Sequence, residues 1–222
     1  MIMDTGSLAS AETPRLVVAA RQFLSVMEKL QAEGDTVVTR VTERKPAIHE
    51  WEQFPEREQE DSKSGFRYYY HSHACPGASR EHGHFHLFKR IANGDSPDAF
   101  THLLAIGVDL SGLPVRLFST NVWVTGETVV PANEVKRLAD AFTVERDDKM
   151  VLVAEWIKKV LALFASEVDE LLVKRDLRRS TLASQRHFFE RDRRTIRIAE
   201  IVVDPLKKMN DIDSLTGQNG VH

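Results

Sequence analysis

Phe66-Arg67-Tyr68-Tyr69-Tyr70-His71-Ser72-His73 and, after a short connection, Glu81-His82-Gly83-His84-Phe85-His86-Leu87-Phe88 decide how this chain is read. Five of its nine histidines fall in this stretch, and its single cysteine, Cys75, lies between the two groups. Aromatic and β-branched residues bounded by turn residues read as strands. Side chains on a strand alternate between its faces. His71 and His73 therefore share one face of the first strand, with Tyr68, Tyr70 and Ser72 on the other. His82, His84 and His86 share a face of the second, with Gly83, Phe85 and Leu87 opposite.

Paired as a hairpin, the two strands would lie about 4.8 Å apart. Imidazoles from one face could then meet a single ion at about 2.0–2.1 Å per nitrogen. Cys75-Pro76-Gly77 makes the connection a turn, but one too long to set the register. The ligands expected are His71, His73, His84 and His86, with His102, which opens a later strand, as a further candidate. Imidazole suits several divalent transition metals, zinc and iron foremost here. Glu81 and His82 stand behind the ligands or form an acid/base pair near the mouth. Histidine clusters also work without metal, as proton carriers.

Outward from this stretch, Thr13-Pro14 starts a helix whose apolar residues Leu16, Ala20, Phe23, Leu24, Met27 and Leu30 make one face, and Gly34 ends it. Thr36–Val41 reads as a strand. Glu43–Ser64 reads as a charged, irregular loop; its Trp51 and Phe54-Pro55 fold back over the sheet or line a pocket. Thr101–Val108 and Val115–Val124 form a hairpin around Asp109–Pro114. The last of these strands carries Arg116, Asn121 and Trp123, and Glu127 follows it as a carboxylate candidate. Arg116 could orient an anionic substrate or pair with a carboxylate on the sheet.

Between Ala132 and Asp204 there is neither glycine nor proline, which predicts helix throughout. Ile157, Leu161, Phe164, Val168 and Leu171 form a packing seam that decays near Arg178–Ser180. Lys174–Arg197 holds nine basic and three acidic residues. It suits nucleic-acid phosphates, a partner, or the protein's own acidic surface, including a homodimer through the C-terminal helices.

The fold class expected is α+β: a central antiparallel sheet of four to five strands, an N-terminal helix packed on it, and a helical C-terminal third. The domain plan is a disordered N-terminus (1–12), an α+β domain (13–145), a helical region (146–204) and a disordered tail (205–222). A net charge of −3 gives no general pull towards nucleic acid or anionic membrane. One cysteine excludes an intramolecular disulfide framework and fits a reducing compartment. With no secretory signal and no apolar run of about 18 residues, a cytoplasmic protein without membrane contact is expected.

The segments Tyr68-Tyr69-Tyr70-His71-Ser72-His73, Glu81-His82-Gly83-His84-Phe85-His86 and Asn121-Val122-Trp123-Val124-Thr125-Gly126-Glu127 resemble, in this order, those of an uncharacterised family of proteobacterial domains. The likeness runs from the first helix to about Asp204, including Trp51-Glu52-Gln53-Phe54-Pro55 and Arg191-Asp192-Arg193. It implies that the histidines, Asn121, Trp123 and Glu127 belong to one site, and it implies no activity. The His-x-His strands are also similar to those of cupin barrels, an analogy for metal chemistry alone.

Two functions follow. One is a histidine-ligated metalloenzyme, hydrolase or oxygenase, acting on a small molecule. Glu81, His82 and Arg116 would do its chemistry, and Tyr69, Asn121, Trp123 and Glu127 would line its binding site. The alternative is a non-catalytic binding or regulatory protein that uses the Arg-rich helix.

Overall fold

The computed structural model describes residues 5–72, 80–91, 96, 98–146, 148–183 and 196–218. Six strands form one antiparallel sheet in chain order: β1 Gln53–Glu60, β2 Phe66–Ser72, β3 Gly83–Arg90, β4 Phe100–Val108, β5 Pro114–Thr120 and β6 Arg197–Val202. The helices are α1 Thr5–Ala32, α2 Val37–Val41, α3 Val122–Thr125, α4 Ala132–Asp140, α5 Val151–Leu163, α6 Ala165–Ala183 and α7 Pro205–Gln218. The α+β class and the antiparallel sheet are as expected, but the sheet has six strands rather than four to five.

The alternation of β2 and β3 explains the layering. Phe66, Tyr68, Tyr70, Phe85 and Leu87 all face one side and are buried there with Leu104, Ile106, Val108 and Leu117 of the next two strands. α1 and α5 join this core through Phe23, Leu30, Trp156 and Val160, and the Trp156 ring lies 5.3 Å from that of Phe85. Each large apolar side chain buried here contributes about 1.5–3 kcal/mol. The histidines of the opposite face are thereby fixed in direction, because slipping either strand by one residue would expose its core set.

The departures from expectation each have a local cause. Thr36–Val41 is a helix rather than a strand: Thr36 Oγ1 accepts from Thr39 N–H at 3.1 Å, and Thr39 Oγ1 accepts from Thr36 N–H at 2.8 Å. This reciprocal cap overrides the β preference of Val37, Val38 and Val41. β1 rises from the segment read as an irregular loop and pairs with β2 through a register shift between Phe54 and Gln59. The strand expected to run to Val124 stops at Thr120. Val122–Thr125 then make one helical turn, closed by Gly126 at φ 66°.

The seam residues Ile157, Leu161, Phe164, Val168 and Leu171 are all buried. The chain breaks at Phe164, between α5 and α6, rather than near Arg178–Ser180. β6, in the region read as helix, is the edge strand beside β5, so the C-terminal region is woven into the sheet. Where a disordered tail was expected, α7 packs on α1 and buries Ile212. α1 likewise starts at Thr5, ahead of Thr13-Pro14.

Candidate metal centre

The face turned away from the core carries the histidines. His71 on β2 is opposite His84 on β3; His86 is opposite Tyr69 on β2 and Ala105 on β4; His84 is opposite Gly107. His71, His84 and His86 are 7%, 6% and 3% exposed. Each offers a ligand atom, and these atoms all lie within 4.8 Å of one another. His71 Nε2 and His86 Nε2 are 3.1 Å apart. Two nitrogens bound tetrahedrally at about 2.0–2.1 Å stand about 3.3 Å apart, so the pair is close to metal-binding geometry as it stands.

The outer nitrogens of two of these rings are held from behind. His84 Nδ1 lies 3.0 Å from Glu81 Oε1, and Arg116 donates to Glu81 Oε2. Glu81 reaches this place because residue 107 is glycine: a Cβ there would fall 2.5 Å from Glu81 Oε2 and 2.9 Å from its Cδ. Burial alone would raise the Glu81 carboxyl, but the hydrogen bond from His84 and the charge of Arg116 outweigh it and hold it below the ordinary range. His84 is lowered as an acid, burial prevailing over the carboxylate beside it. It stays neutral at pH 7 with Nδ1–H donating to Glu81, which leaves Nε2 as a lone pair for a metal.

A second chain supports His86. Its Nδ1 lies 3.0 Å from His102 Nε2, and His102 Nδ1 lies 3.3 Å from Thr120 Oγ1. His102 is fully buried, and burial, aided by the charges of Arg179 and Arg175, pushes its pKa down to about 3. A neutral His102 has one N–H. When that proton sits on Nδ1 and donates to Thr120, Nε2 accepts from His86 Nδ1–H, and His86 Nε2 carries the ring's lone pair on the side of His71. Glu127 anchors the start of β4 by accepting from His102 N–H at 2.6 Å, and Arg179 donates to its other oxygen at 2.9 Å. Burial raises the Glu127 carboxyl above its ordinary value despite these partners.

Of the ligands expected, His71, His84 and His86 come together. His73 lies outside the described residues, as does Cys75. His102 is one step back, bonded to a candidate ligand. His82 does not join them: its Nδ1 lies 2.6 Å from Tyr70 Oη, and Tyr70 is on the core face. Arg116 holds Glu81. Tyr69 packs on His71 and His86, with ring centroids 5.6 and 5.1 Å away. Asn121 is buried just beyond β5, and Trp123 is half-exposed on α3; neither is on the strand to which it was assigned. Glu127 is a carboxylate of the His102 support rather than one of the three converging groups.

Reading by residue type missed Gly107, Thr120 and Phe118, whose ring is 4.9 Å from that of His84. A glycine inside an apolar strand is the signal that could have found Gly107. In the Arg-rich stretch Arg175 is wholly buried, bonded to Asp176 and Val130 O, and Arg179 is turned onto Glu127. Arg186, Arg191, Arg193 and Arg194 lie outside the described residues. Among the described residues no helix is long and apolar enough to cross a membrane.

No curated protein and no solved structure matches this chain. A match over residues 17–203 places it in a family, and the chain belongs to that family, described as a domain of unknown function (DUF6969).

Proposed function

We propose that this protein is a metal-dependent enzyme whose centre is a divalent transition metal, zinc or iron, held by His71, His84 and His86. The observation that carries this reading is the convergence of three buried imidazoles on one sheet face, two of them steadied from behind by Glu81 and His102. Such support fixes the tautomer and raises the basicity of a ligand. Three protein ligands leave a position for water or substrate, and a metal bound there supplies Lewis acidity or an activated water. The chain's own residues do the rest. Glu81 orients His84 and keeps its outer nitrogen protonated, Arg116 keeps Glu81 ionised and in place, and Tyr69 packs against two of the three rings.

A second reading has its own observation. His86 stands between His71 and His102 at hydrogen-bond distances of 3.1 and 3.0 Å, which also describes a metal-free proton chain.

Elemental analysis separates the two. The purified protein should hold, or take up on addition, about one equivalent of zinc or iron, and His84→Ala plus His86→Ala should hold less than about a tenth. His71→Ala, one ring at a time, covers the case in which the double variant fails to fold. Wild-type protein that stays below about a tenth of an equivalent, with no uptake of added Zn2+ or Fe2+, would leave only the proton chain.

A further inference from the structure

α6 carries Arg175 and Arg179 one turn apart, so the two project from the same side of the helix. The Arg175 side chain is 1% exposed and that of Arg179 15%. Each guanidinium is held at one end. Arg175 Nε donates to Asp176 Oδ1 and its Nη2 to Val130 O, both at 2.8 Å. Arg179 Nη2 donates to Glu127 Oε1 at 2.9 Å. The rest of the two groups, Arg175 Nη1 with Arg179 Nε and Nη1, is buried and has no acceptor among the described residues. The buried hydroxyl of Thr125, two residues before Glu127, has no partner there either. Buried donors nearly always find an acceptor, and a charged donor without one is the costliest kind.

The shortage is of acceptors. Glu127 Oε2 already accepts from His102 N–H at 2.6 Å and from the Thr101 hydroxyl at 3.4 Å. Asp176 Oδ2 accepts from Ala132 N–H at 2.7 Å. Guanidinium groups donate and never accept, so the two arginines cannot serve each other. Burial and the charge of Arg179 press the Arg175 guanidinium below its ordinary range, against the pull of Asp176. A water molecule in their midst would still have two hydrogens of its own to place. An anion only accepts, and it also relieves the repulsion between the two cations. Arg179 is the more exposed of the pair, so an ion would enter past it. We propose that Arg175, Arg179 and Thr125 bind one small monovalent anion, of the size of chloride or formate, between α6 and residues 125–127. The ion completes the Arg179–Glu127 pair that anchors the start of β4 at His102. It stands behind the histidine face and needs no metal there.

Thermal unfolding of the full-length protein at constant ionic strength tests this. Sodium gluconate, whose anion is too bulky to enter, is the reference. At about 100 mM, sodium chloride, bromide or formate should raise the melting temperature by about 3–5 °C over gluconate, as for a dissociation constant near 10 mM. Arg179→Gln should reduce that rise to below about 1 °C, and Thr125→Val should reduce it by about half. Crystals grown in bromide should show an anomalous peak among Arg175, Arg179 and Thr125. If Arg179→Gln fails to fold, Thr125→Val and the bromide peak decide. Equal melting temperatures in chloride and gluconate would overturn the proposal. So would a rise that survives the substitutions, or bromide found only elsewhere.

Discussion

Gly107→Ala places one methyl group where the structure has a carboxylate. The new Cβ would sit 2.5 Å from Glu81 Oε2 and 2.9 Å from Glu81 Cδ, against ordinary contacts of 3.4–4 Å. Glu81 cannot yield freely. Its side chain is 3% exposed and is bonded at one oxygen to His84 and at the other to Arg116. Overpacking of this kind costs about 1–3 kcal/mol. For a chain of this length a 2 kcal/mol loss lowers the melting temperature by about 4–8 °C. Freed from Glu81, His84 should also lose its fixed orientation, and metal affinity should fall about 10–100-fold. The assay is a double-mutant cycle, with urea unfolding for stability and competition with a chromophoric chelator for affinity. In a Glu81→Ala background the methyl group meets no carboxylate, so the same substitution should cost less than about 0.5 kcal/mol, a coupling of 1 kcal/mol or more. Equal costs in the two backgrounds would refute the claim that Gly107 exists to admit Glu81.

Other outcomes follow from the same contacts. Glu127→Ala removes the acceptor of His102 N–H and the partner of Arg179, whose buried Nε and Nη1 have no other hydrogen-bond partner among the described residues. A loss of about 3–5 kcal/mol is expected in urea unfolding, and less than about 1 kcal/mol would show that Glu127 is dispensable. Thr120→Val keeps the shape and removes the partner of His102 Nδ1. Metal affinity should weaken measurably while stability changes by about 0.5–1.5 kcal/mol, and an unchanged affinity would uncouple Thr120 from the site. Stability should also fall on acidification. His84 and His102 are both depressed by burial, His102 to about 3. The unfolded chain protonates both rings near pH 6.5; the folded chain leaves His102 neutral down to about pH 3, so His102 contributes a slope of about 1.4 kcal/mol per pH unit between the two, and His84 acts in the same direction. Glu127, raised by burial, works the opposite way just above its ordinary range. Urea midpoints that stay level from pH 7 to pH 5 would contradict the neutral, buried histidines.

Period-two alternation was enough to put His71, His84 and His86 on one face, because Tyr68, Tyr70, Phe85 and Leu87 left the strands only one way to turn. The register was not legible, since the connection between β2 and β3 is long. His102 was legible as a neighbour but not as a supporter of His86, because the β3–β4 pairing shifts between Leu87 and Phe88. His82 could not be told from its neighbours by alternation. It sits at the mouth of β3, where the chain turns, and Tyr70 Oη captures its ring. Thr36–Val41 misled because a capping box outweighs a run of valines only when both threonines reach back, which residue types alone do not reveal. β6 was hidden because six residues without a turn signal look like the continuation of a helix, and its partner β5 is far away in the chain.

That last separation shapes how the molecule is assembled. As the polypeptide emerges during synthesis, β1 to β5 are complete while the residues of β6 are still unmade. Until they arrive, β5 presents open backbone donors and acceptors at the margin of the sheet. α4, α5 and α6 come between, and α6 already leans on β5. The histidine face is therefore bounded on that side only once β6 has been made and paired with β5.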